Sequence, residues 1–447
     1  MDIFSLYYWV SLILMLVLLY GYHRNYFAIL IILMAFTGIV DFFIPRGMQL
    51  MNIITVLLST YLIVQNKVWE EFYHIRYLLI AFGIFSLYFV FDNLLVHVND
   101  ILFVLSQYSK YYVPFVCLLL FIYYGRRGIV YLRYFNHLIG LILMIQISMS
   151  VYKFILFGAH YWEGMVGTFG GLRGGGVGTS FPLVALCWVA INSNMDIRKW
   201  KSWLFVAGLL LLGIAAGKRA VIFLFPILLI VLSIFVCKNR YSKRIWLILA
   251  VVPLFFYLGA RLTPSFNPEN KVWGSFNLAY VLDYTEKYST GHVEDGDTYK
   301  GRVGSAWSFW NILKDTDNMS IDKFLGEGLQ RAYTSAEDRD AYNKFGQDYG
   351  LNSRGDITGI LMLYIAIGVV GVVLLIIYYV FLFRIVQYKR LRWVLFLLVM
   401  FDFIFYNSTI IRNPFVSTLM MFVIVYSLVQ YSSKGNYSMV NHSFFVK

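Results

Sequence analysis

The sequence predicts an all-α polytopic membrane protein with about 12–14 transmembrane helices and one large external loop. Of its 447 residues, 60% are hydrophobic and only 14% are charged. The apolar residues run in long uncharged blocks, and blocks of about 18 or more are what a bilayer-spanning helix needs. The cations fall in short clusters between those blocks, as the positive-inside rule requires of cytoplasmic turns.

Apolar spans read at 6–22, 26–44, 50–65, 77–96, 111–124, 137–157, 177–192, 203–216, 220–237, 245–260, 357–383, 393–407 and 415–431. The N-terminal MDIFSLYYWV has no positive n-region and no A-x-A-like cleavage site, which predicts a first span rather than a removed signal peptide. The span at 111–124 is short and contains Pro114. One alternating set of connections, from Arg24 through Arg126 and Arg127 to Lys447, holds 19 cations. The opposite short connections hold six: Arg46, Lys110, Arg173, Lys218, Arg219 and Arg412. The first set is therefore expected in the cytoplasm, and residues 261–355 outside, since long loops translocate largely regardless of charge. The chain divides into membrane helices over 1–260, a large periplasmic loop over 261–355 and C-terminal membrane helices over 356–447. The first part includes a Gly-rich outer loop at 158–176 and an outer hairpin tip at 216–220.

The net charge of +13 is a topology signal, not the mark of a nucleic-acid partner. Residues 261–355 hold 11 Lys/Arg and 14 Asp/Glu, whereas the rest of the chain holds 26 and 10. The three cysteines, Cys117, Cys187 and Cys237, lie in or at the edge of apolar spans, so the long loop has no disulfide framework.

The stretch GIAAGKRAVIFLFP (213–226) places two adjacent cations inside an uncharged run from Ser202 to Cys237. As one helix that run would extend roughly 54 Å, against about 30 Å of hydrocarbon. It must turn back near Gly217, leaving Lys218 and Arg219 at the outer end of a tight hairpin. Ionisable groups at membrane depth usually face a partner or cavity, but two long side chains snorkelling to headgroups would fit the same pattern. A second outer connection, EGMVGTFGGLRGGGVGTSFP (163–182), surrounds Arg173 with seven glycines between Gly164 and Gly176. Such backbone curves around anions and the guanidinium forks phosphate oxygens; a flexible turn reads the same way, and no Walker pattern is present. The long loop carries aromatics from Trp273 to Tyr349 together with Arg302, Arg331, Arg339 and Arg354. These suit a glycan joined to a phosphate, or an interfacial belt and a small core of the loop's own. The seven histidines are scattered and the DGD at 295–297 stands alone, so no metal site is expected. G-x-S-x-G is also missing, which argues against a covalent enzyme intermediate.

Taken in order, LRGGGVGTSFPLVALCWVAI (172–191), GIAAGKRAVIFLFP (213–226), FLGEGLQRAY (324–333) and SRGDITGILMLYIAIGVVG (353–371) resemble the O-antigen polymerase (Wzy) branch of the O-antigen ligase/polymerase superfamily. The resemblance implies a GT-C-like glycosyltransferase of the bacterial inner membrane, multi-pass, with the large loop periplasmic and no cofactor. Its donor would be a growing glycan on undecaprenyl pyrophosphate, its acceptor a hydroxyl of an incoming lipid-linked repeat unit. Membrane lipids and a chain-length regulator are the other implied partners. By carry-over, Arg173 and Arg219 are pyrophosphate ligands with Lys218 beside them, and Arg302, Arg339 and Arg354 are further candidates on the loop. Related ligases carry a histidine at the start of the helix after the loop; this sequence has SRGD there. Asp356 is the replacement base the resemblance implies, with Glu327 as runner-up, although an aspartate in that place also suits a helix cap. A ligase acting on lipid A-core and a lipid-linked oligosaccharide flippase are the competing readings. A flippase would be expected to show internal repetition.

Overall fold

The computed structural model describes residues 3–69, 75–157, 167–169, 177–193, 199–216, 218–236, 243–290, 305–306, 309–310, 313–314, 321–333, 357–406 and 408–434. Among the described residues every regular element is helical. The chain is an all-α, multi-pass membrane protein. Five helices are long and apolar enough to cross a bilayer: α4 (Gly47–Gln65), α5 (Arg76–Phe91, prolonged by a π-turn over Asp92–Val96), α6 (Ile101–Arg127), α7 (Ile129–Phe157) and α15 (Gly359–Ile385). Taken together, α2 (Tyr26–Ala35) and α3 (Thr37–Phe43), bent by 69° at Phe36, have the length and composition of a sixth. Shorter apolar helices complete the bundle: α1 (Ile3–Gly21), α8 (Val177–Ser193), α9 (Trp200–Ala215), α10 (Arg219–Val231, prolonged by a π-turn over Leu232–Val236), α11 (Lys243–Leu262) and α18 (Pro414–Lys434). The remaining elements are α12 (Leu278–Thr290), α13 (Ile321–Leu325), α14 (Leu329–Tyr333), α16 (Lys389–Phe405) and α17 (Thr409–Arg412).

Each expected apolar stretch overlaps one or two of these helices, but only five, or six with the bent pair, have the length for a crossing. Two starts move furthest: the helix expected at 137 begins at Ile129, and α6 also begins early. The span expected at 111–124 begins ten residues earlier, where Asp100 caps α6 by accepting from the Phe103 amide at 2.8 Å. Polar residues hid this extension. Ser106 and Ser109 are buried, and the Asn52 side chain of α4 donates to Ser106 at 3.1 Å. Lys110, placed by charge counting on an outer connection, therefore sits inside α6.

The basic helix ends gather on one face. Tyr22 meets Tyr134 with ring centroids 5.5 Å apart, and Phe27 packs on Phe121 and Phe135, which joins the α1–α2 turn to the α6–α7 turn. Asn136 donates to Asn192 at 2.8 Å, and Tyr388 donates to the Phe235 carbonyl at 2.8 Å, which adds the ends of α8, α10 and α15. This is the face that the positive-inside rule leads one to expect in the cytoplasm. The opposite face carries the loop between α11 and α15. There the chain turns back at 263–276: the Trp273 amide donates to the Arg261 carbonyl at 2.8 Å, and the Arg261 guanidinium lies 4.3 Å from the Trp273 ring. Glu269 accepts from the hydroxyl and amide of Ser275, which holds its carboxyl below the ordinary range. Trp273, one of the loop aromatics that suit either a sugar platform or an interfacial belt and small core, is thus engaged locally.

The hairpin expected at Gly217 is present. α9 ends at Ala215, α10 begins at Arg219, and the arms touch so closely that a Cβ on Gly213 would lie 2.5 Å from Val221 Cγ1. A second backbone demand falls at Gly368, where α15 breaks with φ 62° and ψ −174°, a conformation open essentially to glycine alone. A methyl group there would also strike the Phe324 carbonyl. Gly368→Ala is expected to lower stability by about 1–3 kcal/mol. Gly83→Ala, in α5 with nothing within 4 Å, should leave it unchanged or slightly raised; thermal unfolding of both purified variants checks the contrast.

Candidate functional site

The hairpin tip shows how the sequence sets two cations at a helix start. The Lys218 amide donates to the Gly213 carbonyl at 3.1 Å, and its own carbonyl accepts from Val221 at 2.9 Å. Lys218 is extended (φ −89°, ψ 93°) and serves as the N-cap, so Arg219 is the first residue of the 13-residue α10. No acid falls in that first turn. The orphan amides and dipole of α10 therefore add to the charge of Lys218 and Arg219, an arrangement that favours an anion. Of Arg219 the backbone is described. Arg173, Arg302, Arg339, Arg354 and Asp356 lie outside the described residues.

The Gly-rich outer loop is anchored just before Arg173. The break between α2 and α3 frees the Ala35 carbonyl, and the Thr168 hydroxyl fills it at 2.7 Å. Gln146 of α7 holds the same threonine from both sides, donating to its hydroxyl and accepting from its amide, each at 2.7 Å. The Tyr7 hydroxyl donates to Gly167 O at 2.6 Å and Gly167 N donates to Ser150 at 2.7 Å. Phe169 then packs on Phe181 and Phe415.

The FLGEGLQRAY element plugs a second break. Gly326 and Gly328 both take positive φ (83° and 89°), which folds the chain between α13 and α14 against α15. The Glu327 amide donates to the Ile365 carbonyl at 2.6 Å, and the Tyr88 hydroxyl donates to Ile367 O at 2.9 Å, satisfying carbonyls that the Gly368 break sets free. The Leu329 amide donates to Asn93 Oδ1 at 2.9 Å. Glu327, the runner-up base, has its carboxylate 3.2 Å from Arg331 Nε, one helical turn away.

Sequence reasoning missed what lies beneath this element. Asp92, fully buried, places Oδ1 3.6 Å from His97 Nε2. The sequence signal was an aspartate inside an apolar span followed five residues later by a histidine, DNLLVH. Charge burial elsewhere was also underestimated. Lys153 of α7 is fully buried with Nζ 4.5 Å from the Tyr7 ring centre. Arg412, placed by charge counting on an outer turn, ends the four-residue α17 between α16 and α18, is half-buried and donates to Met362 Sδ at 2.8 Å; its charge and that of Lys110 sense one another.

Asp402 has a structural task. Its Oδ1 accepts from Ser180 and its Oδ2 from the Ile410 amide, each at 2.7 Å, so one carboxylate ties α8 to the start of α17 across the break after α16. Among the described residues no three His, Cys, Asp or Glu side chains come together in a group that could hold a metal. Asp402→Ala should destabilise the protein by about 2–3 kcal/mol, because it strands a buried amide, and Ser180→Ala by about 1 kcal/mol. Thermal melts of the two single variants and the double variant check this, and the combined loss should fall short of the sum. Comparison with family models, with curated proteins and with solved structures finds no match to this chain.

Proposed function

We propose that the chain is a polysaccharide polymerase of the bacterial inner membrane that moves a growing glycan from undecaprenyl pyrophosphate to the acceptor hydroxyl of an incoming lipid-linked repeat unit. The observation that carries the reading is the hairpin tip. Lys218 and the start of α10 with Arg219 stand on the loop-bearing face, opposite the face where the other helix ends collect their cations. Two cations on the poorer side of a charge-sorted protein, at the start of a helix whose first turn holds no acid, suit a multiply charged anion at headgroup depth. A lipid-linked pyrophosphate is such an anion.

The chemistry asks little else. An acceptor hydroxyl attacks the anomeric carbon in line, the bond to the pyrophosphate oxygen breaks with its electron pair, and the configuration inverts. Cations that meet the departing pyrophosphate stabilise the charge as it develops. Arginine suits this because it stays charged and forks two oxygens. In this reading Arg219 and Arg173 grip the pyrophosphate with Lys218 in support, Arg302, Arg339 and Arg354 contact the glycan phosphate region, and Asp356 belongs to the acceptor side. The Thr168 anchor, which ties residues 167–169 to the bend between α2 and α3, lies five residues before Arg173. No nucleotide sugar or metal is needed for a step whose leaving group is already activated.

Arg219→Ala is expected to leave the protein in the membrane but to abolish long-chain surface polysaccharide, while lipopolysaccharide capped with a single repeat persists. Glycan banding from a deletion strain complemented with each variant reads this out. Loss of every capped form would mark a ligase, and lipid-linked units accumulating on the cytoplasmic leaflet would mark a flippase. Normal chain length with alanine at both 173 and 219, at normal protein level, would remove the pyrophosphate site.

A further inference from the structure

We propose that His97, oriented by Asp92, is the general base that takes the proton of the acceptor hydroxyl, an inference that rests on the polymerase reading above. The acid–base centre then lies where the end of α5 meets the Gly326–Gly328 element.

The backbone builds the pair. α5 ends in a π-turn, and the His97 amide closes it by donating to the Asp92 carbonyl at 3.0 Å. That closure swings the imidazole back over the Asp92 side chain. Asp92 is fully buried, and neither its Oδ1 nor His97 Nε2 has a hydrogen-bond partner among the described residues. Asp92 Oδ2 has a long contact, 3.4 Å, from Asn93 Nδ2. A carboxylate out of water with one oxygen unclaimed needs a donor, and the facing ring nitrogen at 3.6 Å is the donor within reach of a small rotation. Catalytic hydrogen bonds are often this long before substrate arrives.

The ring is also clamped from the other side. Gly328 lies so close that a Cβ there would sit 2.8 Å from His97 Cγ. Asn93 Oδ1 accepts from both the Leu329 amide at 2.9 Å and Asn99 Nδ2 at 3.1 Å, riveting the outer element to the link that follows α5. Immediately after the histidine, Val98 holds φ 49°, a left-handed conformation that a β-branched residue rarely adopts. Backbone strain of this kind persists where surrounding structure over-determines it. His97 keeps 17% of its side chain exposed. With Nε2 turned in toward Asp92, Nδ1 is the nitrogen left to meet a substrate.

The step balances within the reaction already proposed. The acceptor oxygen forms the new bond to the anomeric carbon as its proton passes to His97 Nδ1. The old anomeric C–O bond breaks and its electrons leave on the pyrophosphate. Asp92 acts through His97, fixing the tautomer that presents a bare Nδ1 and stabilising the imidazolium that forms, and so is a positioning residue. The elements packed around the pair carry further titratable groups, among them Tyr88 on α5, Asp100 in the link, Tyr108, Lys110 and Tyr111 on α6, Asp322, Lys323, Glu327 and Arg331 on the outer element, and Tyr364 on α15. Glu327 and Arg331 offset each other at 3.2 Å.

The test uses the full-length protein in phosphatidylethanolamine–phosphatidylglycerol vesicles. The probe is lipid-linked oligosaccharide extracted from the source strain deleted for this chain, and glycan elongation is followed against pH. His97→Gln should lose about 10²–10⁴-fold in turnover with KM unchanged. Asp92→Asn removes the charge that favours the protonated ring, so the acid limb of the rate profile should move about one unit to lower pH. Wild-type turnover in His97→Gln overturns the assignment. If His97→Gln loses activity and thermal stability together, the Asp92→Asn profile decides, and an unmoved acid limb assigns the pair a structural role only. If the wild-type protein itself fails to elongate the extract, the polymerase reading falls and the base falls with it. Active wild type with unshifted variants removes the base alone.

Discussion

A helix that breaks inside hydrocarbon frees backbone groups that have no water to turn to, and this constraint organises the whole outer half of the protein. Among the described residues three breaks occur there, and a distant part of the chain reaches each of them. The Ala35 carbonyl at the α2–α3 bend takes the Thr168 hydroxyl. The carbonyls around the Gly368 break take the Glu327 amide and the Tyr88 hydroxyl. The gap between α16 and α17 is closed by the Asp402 carboxylate and by the Gly359 amide, which donates to the Tyr406 carbonyl at 2.5 Å. Non-helical backbone at membrane depth is tolerated where protein buries it or a cavity needs it.

Because the plugs come from the outer segments, satisfying the breaks also positions those segments. The Gly-rich loop is pinned at Thr168 before it reaches Arg173, and the loop between α11 and α15 is pinned at Glu327 and again at Ser305, whose hydroxyl accepts from the Thr358 amide at 3.1 Å. Both ends of the region assigned to chemistry are thus fixed to the bundle by hydrogen bonds in a low-dielectric setting, where an unmade bond is expensive. The hairpin tip has a different support. Steric contact between Gly213 and Val221 lets its two arms meet, so two cations stand at one helix start without an intervening loop.

Much of this was legible in the sequence, for physical reasons that differ by element. Spans such as α4, α7 and α15 declare themselves because uncharged length is itself the requirement for crossing a bilayer. The α9–α10 hairpin follows from 36 residues, uncharged but for Lys218 and Arg219, being too long to cross once. The start of α6 was hidden, since a buried helix face can carry Ser106, Gln107, Ser109 and Lys110 once neighbouring helices meet those groups, and hydropathy counts them against a span. The breaks at Phe36 and Gly368 were invisible because nothing local distinguishes a glycine or phenylalanine that faces a plug from one that does not. The Asp92–His97 pair escaped for the same reason: a π-turn, not an α-helical turn, brings residues five apart into register.

The sidedness of the broken-helix face is the proposition on which the functional reading stands, and cysteine accessibility measures it directly. In a protein with its three native cysteines replaced by serine, Val98→Cys (78% exposed in the native protein) should react with a membrane-impermeant maleimide in intact cells. Lys199→Cys, on the basic face, should react only after the inner membrane is opened. The opposite pattern would place the broken helices and their cations in the cytoplasm, where an external lipid-linked pyrophosphate could not reach them.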